Sequence, residues 1–279
     1  MKTFITKQIK KPFFGRFMVR WQNPLVNDFL WRKNSVKSQS GGKIVYWYLE
    51  QPEAKATILL GHPMGKPAKG EFLKTEYPTA LAQAGYNVCV FDFNGFGESS
   101  MGDFNYHHDL LSVRDEMKNI FPDIPMAFHG ISFGGNWGTI ALTVEDNPFK
   151  VAILESSCVN LPEFWIHYPT ASKVLTWLYA VRPDYMEYAD FEKAITKTKN
   201  CEEIMIISAN EDKYTPYEMA IRLQNSANTY TEIIRFENAM HAKSQESNPK
   251  RYLETCIGFF EQRFQNTQTD KKEPEAVFF

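Results

Sequence analysis

The stretch AFHGISFGGNWG, residues 127–138, decides how this chain is read, because Gly130-Ile131-Ser132-Phe133-Gly134 has the form G-x-S-x-G directly behind a short apolar run. That is the sequence form of a nucleophile elbow, in which a strand turns sharply into a helix. The serine then takes a strained backbone conformation, and only glycine fits at the flanking positions without clash. This reading makes residues 126–129 the end of a strand and residues 135–144 the helix behind it. It also requires a base, an acid, oxyanion donors and a sheet elsewhere in the chain.

Upstream, residues 43–50 (KIVYWYLE) are rich in β-branched and aromatic residues and read as a strand. Residues 56–60 (ATILL) are a continuous apolar run that ends in Gly61-His62-Pro63-Met64-Gly65, which suits a strand buried on both faces. Residues 72–84 have helical spacing, shortened or offset by Pro78, and Gly85 closes them. The strand at 86–93 runs into the glycine-punctuated loop Asn94-Gly95-Phe96-Gly97-Glu98-Ser99. An amphipathic helix over 109–121 follows, with Leu110, Val113, Met117 and Ile120 on one face and Pro122 and Pro125 as stops. With a further strand at 151–154, the order is β-α-β-α-β-α-β, which predicts a mostly parallel sheet covered on both faces.

Between 159 and 200 the rhythm breaks. The segment is aromatic (Phe164, Trp165, Tyr168, Trp177, Tyr179, Tyr185, Tyr188) and reads as an inserted cap of short helices, its rings first of all the insert's own core. If Phe164, Trp165 or Tyr168 faces Ser132, they line an apolar pocket suited to an acyl chain or aromatic group. The alternation resumes with a strand at 203–208, a helix at 216–225, a strand at 232–236 and a closing helix at 249–264. The expected organisation is a basic, aromatic arm (1–39), a core (40–158 and 203–264), a helical cap (159–202) and a mobile polar tail (265–279).

A serine hydroxyl needs a base within hydrogen-bond reach, and the base needs an acceptor to fix its tautomer. Asp212 and His241 each lie just past the carboxyl end of an expected strand, as Ser132 does, and the chain order Ser, Asp, His is that of the α/β-hydrolases. Glu155, also just after a strand, is the rival acid. Of the other histidines, His62 reads as shaping the loop after 56–60, with a tentative place in the substrate pocket. His129 reads as lying under the elbow, and His107, His108 and His167 as surface or cap residues.

On GHPMG (61–65), FDFNGFGES (91–99), HGISFGG (129–135), NEDKYTP (210–216) and NAMH (238–241), the chain resembles the α/β-hydrolase superfamily over residues 40–264. The resemblance is to the serine esterase and lipase-like branch, which includes serine aminopeptidases and monoacylglycerol lipase-like enzymes. It implies a central sheet flanked by helices with a helical cap insertion, Ser132 as nucleophile, His241 as base and Asp212 as orienting acid. It further implies the backbone N–H groups of Met64 and Phe133 as oxyanion hole. The expected activity is cleavage of carboxylic esters through an acyl-enzyme. The alternatives are a serine peptidase or amidase, a thioesterase, an acyltransferase, or a non-catalytic binder on the same fold. No metal or organic cofactor is implied, and the expected partner is a small-molecule ester or acyl substrate. Two positions depart from frequent forms of the family: Asn94 stands where a basic residue is frequent, and Ala239-Met240 precede the histidine where glycine is frequent.

Composition bounds the rest. The 279 residues are 43% hydrophobic and 15% aromatic, enough for a sizeable core, and a formal charge of -2 gives no electrostatic reason to expect nucleic acid. Four well-separated cysteines without Cys/His metal spacing read as buried free thiols, which with the lack of an apolar signal core in residues 1–11 predicts a cytoplasmic protein. The first 33 residues mix lysine and arginine with aromatics. An arm packed over the sheet is the preferred reading, and contact with an anionic membrane surface is the second.

Overall fold

Thr57–Gly61 and Asn87–Phe91 are buried along their whole length, as strands covered on both faces must be, and they pair in parallel near the middle of an eight-stranded sheet. The structure, a computed structural model, describes residues 2–20, 30–181 and 189–264. In chain order the strands are β1 (Arg32–Lys37), β2 (Lys43–Leu49), β3 (Thr57–Gly61), β4 (Asn87–Phe91), β5 (Met126–Ile131), β6 (Phe149–Glu155), β7 (Glu203–Ala209) and β8 (Tyr230–Phe236). In space they run β1-β2-β4-β3-β5-β6-β7-β8. β2 is antiparallel to β1 and β4, and every other neighbouring pair is parallel.

Alternation of side chains across each strand builds two apolar layers. Leu59 joins Phe128, Leu110, Val113 and Trp137 on one face, whereas Ile58 and Leu60 join Leu81, Ile153, Phe259 and Phe260 on the other. The described helices are α1 (Lys2–Phe14), α2 (Gly70–Leu73), α3 (Tyr77–Gln83), α4 (His107–Ile120), α5 (Phe133–Ala141), α6 (Leu161–Phe164), α7 (Pro169–Val181), α8 (Phe191–Ile195), α9 (Tyr217–Ser226), α10 (Ser244–Ser247) and α11 (Pro249–Phe264). Topology therefore matches the sequence expectation of a mostly parallel sheet between helical layers. All four cysteines are free and buried.

Two local expectations need correction. The single helix expected over 72–84 is two, α2 and α3, because Pro78 lacks an N–H and is accommodated only in a helix's first turn, where α3 holds it. β1 was not expected at all: RKNSVK is mostly exposed, and its six-residue register with β2 makes it a strand. Within the arm, Lys10 is fully buried. Its amine donates to the Asn94 side chain and, at 2.6 Å, to the Asp103 carbonyl, and lies 3.8 Å over the Tyr106 ring. A cation thus reaches the Asn94 position from α1. A 3-10 turn at Gly15–Phe17 follows, and the Phe17 ring stacks on Phe96 at 5.2 Å.

The insert between β6 and β7 contains α6, α7 and α8. Arg222 on α9 grips both ends of it, pairing with Glu163 at 2.6 Å and Glu192 at 2.5 Å. Its rings are not simply an internal core, because Trp177 is 61% exposed. Tyr185, Tyr188 and the expected tail lie outside the described residues.

Candidate active site

Ser132 stands between the end of β5 and the first residue of α5, with φ 50° and ψ -109°. A non-glycine residue there carries strain of about 1–3 kcal/mol, and the close packing around the elbow sustains it. A Cβ on Gly134 would lie 2.0 Å from the Gly61 carbonyl oxygen, and one on Gly130 would lie 2.5 Å from the Gly135 nitrogen. Close backbone approach is thus what demands glycine at both flanking positions. The Ser132 N–H donates to the Glu155 carbonyl at 2.7 Å, fixing the elbow to the end of β6.

Two further loops converge on the serine. The loop after β7 is tied to the loop after β8 where Asn210 N–H donates to Phe236 O at 3.0 Å and Glu211 N–H to Ala239 O at 2.9 Å. Asp212 Oδ1 accepts from the N–H groups of Tyr214 and Thr215, each at 2.9 Å, and Oδ2 accepts from the Thr215 hydroxyl at 2.5 Å. This is the local turn bonding that aspartate favours, and it aims Oδ2 at His241 Nδ1, 2.8 Å away. His241 Nε2 lies 2.7 Å from Ser132 Oγ. The network assigns the proton of the neutral ring to Nδ1, leaving Nε2 to accept from the serine. Ala242 N–H donates to Ser156 Oγ at 3.1 Å, anchoring the histidine loop to the end of β6.

Burial pushes the Asp212 carboxyl up, but the His241 bond and charge and the Thr215 donors outweigh it and hold it below its ordinary value. The rings of Tyr214 and Phe164 meet the His241 imidazole at 5.4 and 5.6 Å between centroids. Trp165 packs on Phe164 at 5.3 Å. Tyr168, about half exposed, places its hydroxyl 3.4 Å from that of Tyr214. A cavity of about 230 Å³ lined by Glu163, His167, Lys213 and Arg222 shares Tyr214 with this group, but Ser132, Asp212 and His241 are not among its lining residues.

Phe133 opens α5, so its N–H is one that the helix itself leaves without a partner. Met64 follows β3 in the turn that His62 braces. His62 is completely buried, which corrects its tentative place in the pocket: Nδ1 meets Pro63 O at 2.7 Å, and Nε2 accepts from Phe93 N–H at 3.1 Å. Burial depresses its pKa, so the ring stays neutral.

The rival acid goes elsewhere. Glu155 accepts from the Tyr252 hydroxyl at 2.7 Å and lies 3.8 Å from His129 Nε2, while His129 Nδ1 meets the Tyr77 hydroxyl at 2.8 Å. This buried group sits under the elbow strand, where His129 was expected, and leaves Asp212 as the carboxylate on His241. His107 is corrected: it is 5% exposed, pressed between His108 and Trp137, and burial and His108 push its pKa down to about 3. His167 is exposed on the insert, 2.8 Å from Lys213 O. The contributions of Thr215 and Tyr214 were missed in the sequence, although a threonine three residues after an aspartate is a turn signal.

Sheet order, elbow and the acid and histidine loops define an α/β-hydrolase. Residues 75–267 match the model of the prolyl oligopeptidase family, and the chain belongs to that family. The lysophosphatidylserine lipase ABHD12 of Bos taurus is 25% identical over 210 residues, covering 71% of this chain and 51% of the relative. That of Gallus gallus is 24% identical over 200 residues, 67% of this chain and 52% of the relative. The chain spans about half the length of the curated relatives it matches. Among solved structures, the Pyrococcus furiosus esterase Pf2001 superposes with a TM-score of 0.67 at 17% identity, over 88% of this chain and 95% of that one. The Pyrococcus horikoshii acylaminoacyl peptidase does so with 0.64 at 16%, over 89% of this chain and 43% of that one. These likenesses carry the fold.

Proposed function

We propose that this protein is a serine hydrolase that cleaves carboxylic esters through an acyl-enzyme. The observation that carries the reading is the continuous line Ser132 Oγ, His241, Asp212, with contacts of 2.7 and 2.8 Å, built on a strained elbow. Ser132 Oγ attacks the acyl carbon as its proton passes to His241 Nε2, and the Asp212 carboxylate stabilises the imidazolium. The carbonyl oxygen becomes an oxyanion facing the N–H groups of Met64 and Phe133, where losing one donor costs about 2.7–4 kcal/mol of transition-state stabilisation. His241 then returns the proton to the leaving oxygen as the ester C–O bond breaks. Water attacks the acyl-enzyme by the same relay, releasing the acid and restoring Ser132.

Phe164 and Tyr214 supply an apolar wall beside His241, suited to an acyl chain or an aromatic group, with Trp165 and Tyr168 behind it. Relatives named as a lipase and an esterase support the ester reading. The second reading is a peptidase or amidase, favoured by the family's name and by the acylaminoacyl peptidase neighbour. Parallel turnover of p-nitrophenyl esters of graded chain length and of aminoacyl anilides, with Ser132→Ala as blank, separates the two. Preference for esters supports the proposal, preference for anilides replaces it with the second reading, and turnover equal to the blank on both leaves a binder.

A further inference from the structure

Two helices at the edges of the site carry apolar stripes that nothing among the described residues covers. On α1, Ile5, Ile9 and Phe13 recur every four residues, and on α7, Val174, Trp177, Leu178 and Val181 follow the i, i+3, i+4, i+7 pattern of one helix face. All seven are exposed, by 40–66%. In a monomeric soluble protein apolar side chains gathered in this way mark an interaction surface. Both helices are anchored from behind. α1 is pinned by the buried Lys10, and its Phe14 ring lies 6.0 Å from Phe96, which meets Phe133 of the elbow at 5.3 Å. α7 packs on α6, whose Phe164 faces His241. α1 thus leads through Phe14 and Phe96 to Phe133, the residue after Ser132, and α7 leads through α6 to His241.

Charge selects the occupant. In a chain of formal net charge -2, residues 1–20 and α7 hold no acidic residue; of their cations, Lys10 is buried and Arg20 pairs with Glu98, and Lys173 on α7 is exposed. Lys11 and Arg16 are exposed beside the α1 stripe. Apolar stripes flanked by cations and free of carboxylates fit a lipid–water interface bearing anionic headgroups, where apolar burial and electrostatic attraction add. Each helix has 13 residues, short of the roughly 20 a span requires, so such helices lie on a bilayer and do not cross it.

We propose that α1 and α7 form an interfacial docking surface for anionic lipid, which presents Ser132 to esters held at that surface. The substrate class, an amphiphilic acyl ester, rests on the hydrolase reading above; the docking itself does not. The test is co-sedimentation of the full chain with vesicles of phosphatidylcholine alone and of phosphatidylcholine with about one-third phosphatidylserine. It compares wild type with Ile9→Glu/Phe13→Glu and with Trp177→Glu, all followed in parallel by fluorophosphonate labelling of Ser132 without lipid. The expected result is wild-type binding to the anionic vesicles that weakens with salt, at least about a tenfold loss in each variant, and unchanged labelling and thermal melts. If a glutamate variant melts early, the corresponding serine substitutions take its place. Wild type that stays in the supernatant, equal binding to both vesicle types, or variants that bind as well as wild type overturn the proposal. So does a wild-type dimer that the substitutions convert to monomer without vesicle binding, which would make a second copy the occupant. Vesicle binding without labelling would instead remove the hydrolase reading and leave the docking surface standing.

Discussion

Ser132 Oγ lies 2.7 Å from His241 Nε2, a contact closed across 109 residues of sequence. Nothing local to either residue produces it. The elbow ends β5, the histidine loop follows β8, and Ser156 at the end of β6 holds that loop through Ala242. Carboxyl-end loops of a parallel sheet are where such contacts collect, so the fold itself brings the serine hydroxyl and the imidazole together.

Asp212→Asn tests the third member. An amide there presents an N–H to His241 Nδ1 and favours the wrong tautomer, so kcat is expected to fall by about 10⁴ with KM little changed. The pH dependence has a definite sign. A carboxyl held below its ordinary value of 3.8 contributes stability that is full above that value and is lost as pH falls through the lower folded one. The melting-temperature advantage of wild type over Asp212→Asn should accordingly be constant near neutrality and shrink only in strong acid. An advantage that shrinks already between pH 7 and 5 would contradict this.

Glu155→Gln distinguishes the rival acid. The substitution keeps an acceptor for Tyr252 and removes a buried carboxylate, so ester turnover should stay within about threefold of wild type. A loss comparable to that of Asp212→Asn would show that His241 depends on Glu155.

Much of this was legible in the residues. The apolar run at 56–60 read as a strand covered on both faces, and G-x-S-x-G behind a short apolar run located the elbow, because flanking glycines are what a sharp strand-to-helix turn demands. What the sequence left open depended on direction. Asp212 and Glu155 both follow strands, and only the rotation of each side chain, toward His241 or toward Tyr252, separates them. β1 was invisible because an edge strand of polar residues owes its state to its neighbour, not to a pattern of its own. The place of Lys10 was not legible, since a lysine drawn into an aromatic pocket differs in sequence from a solvated one only by its distant partners.

The elbow's packing predicts a contrast between two glycines. Gly134→Ala forces a methyl to within 2.0 Å of a carbonyl oxygen and should destabilise the protein by at least about 1–3 kcal/mol in denaturant unfolding. Gly258→Ala, in α11 with nothing within 4 Å, should stabilise by about 0.5–1 kcal/mol. A tolerated Gly134→Ala would mean that the Gly61 to Gly134 approach is looser than described.

Lys10 predicts a pH slope. Burial pushes its amine down to about 7 against the opposing pull of Asp109 and Asp103. Between that value and 10.5 the unfolded chain binds more protons than the folded one, so stability rises with pH across this window. The difference in melting temperature, wild type minus Lys10→Met, should therefore increase from pH 7 to 9. A flat difference would place the amine in solvent.

Intact-mass measurement after incubation with a fluorophosphonate tests most directly whether Ser132 is the nucleophile. One adduct is expected on wild type, mapped to the peptide carrying Ser132, and none on Ser132→Ala. Undiminished labelling of Ser132→Ala would contradict that assignment.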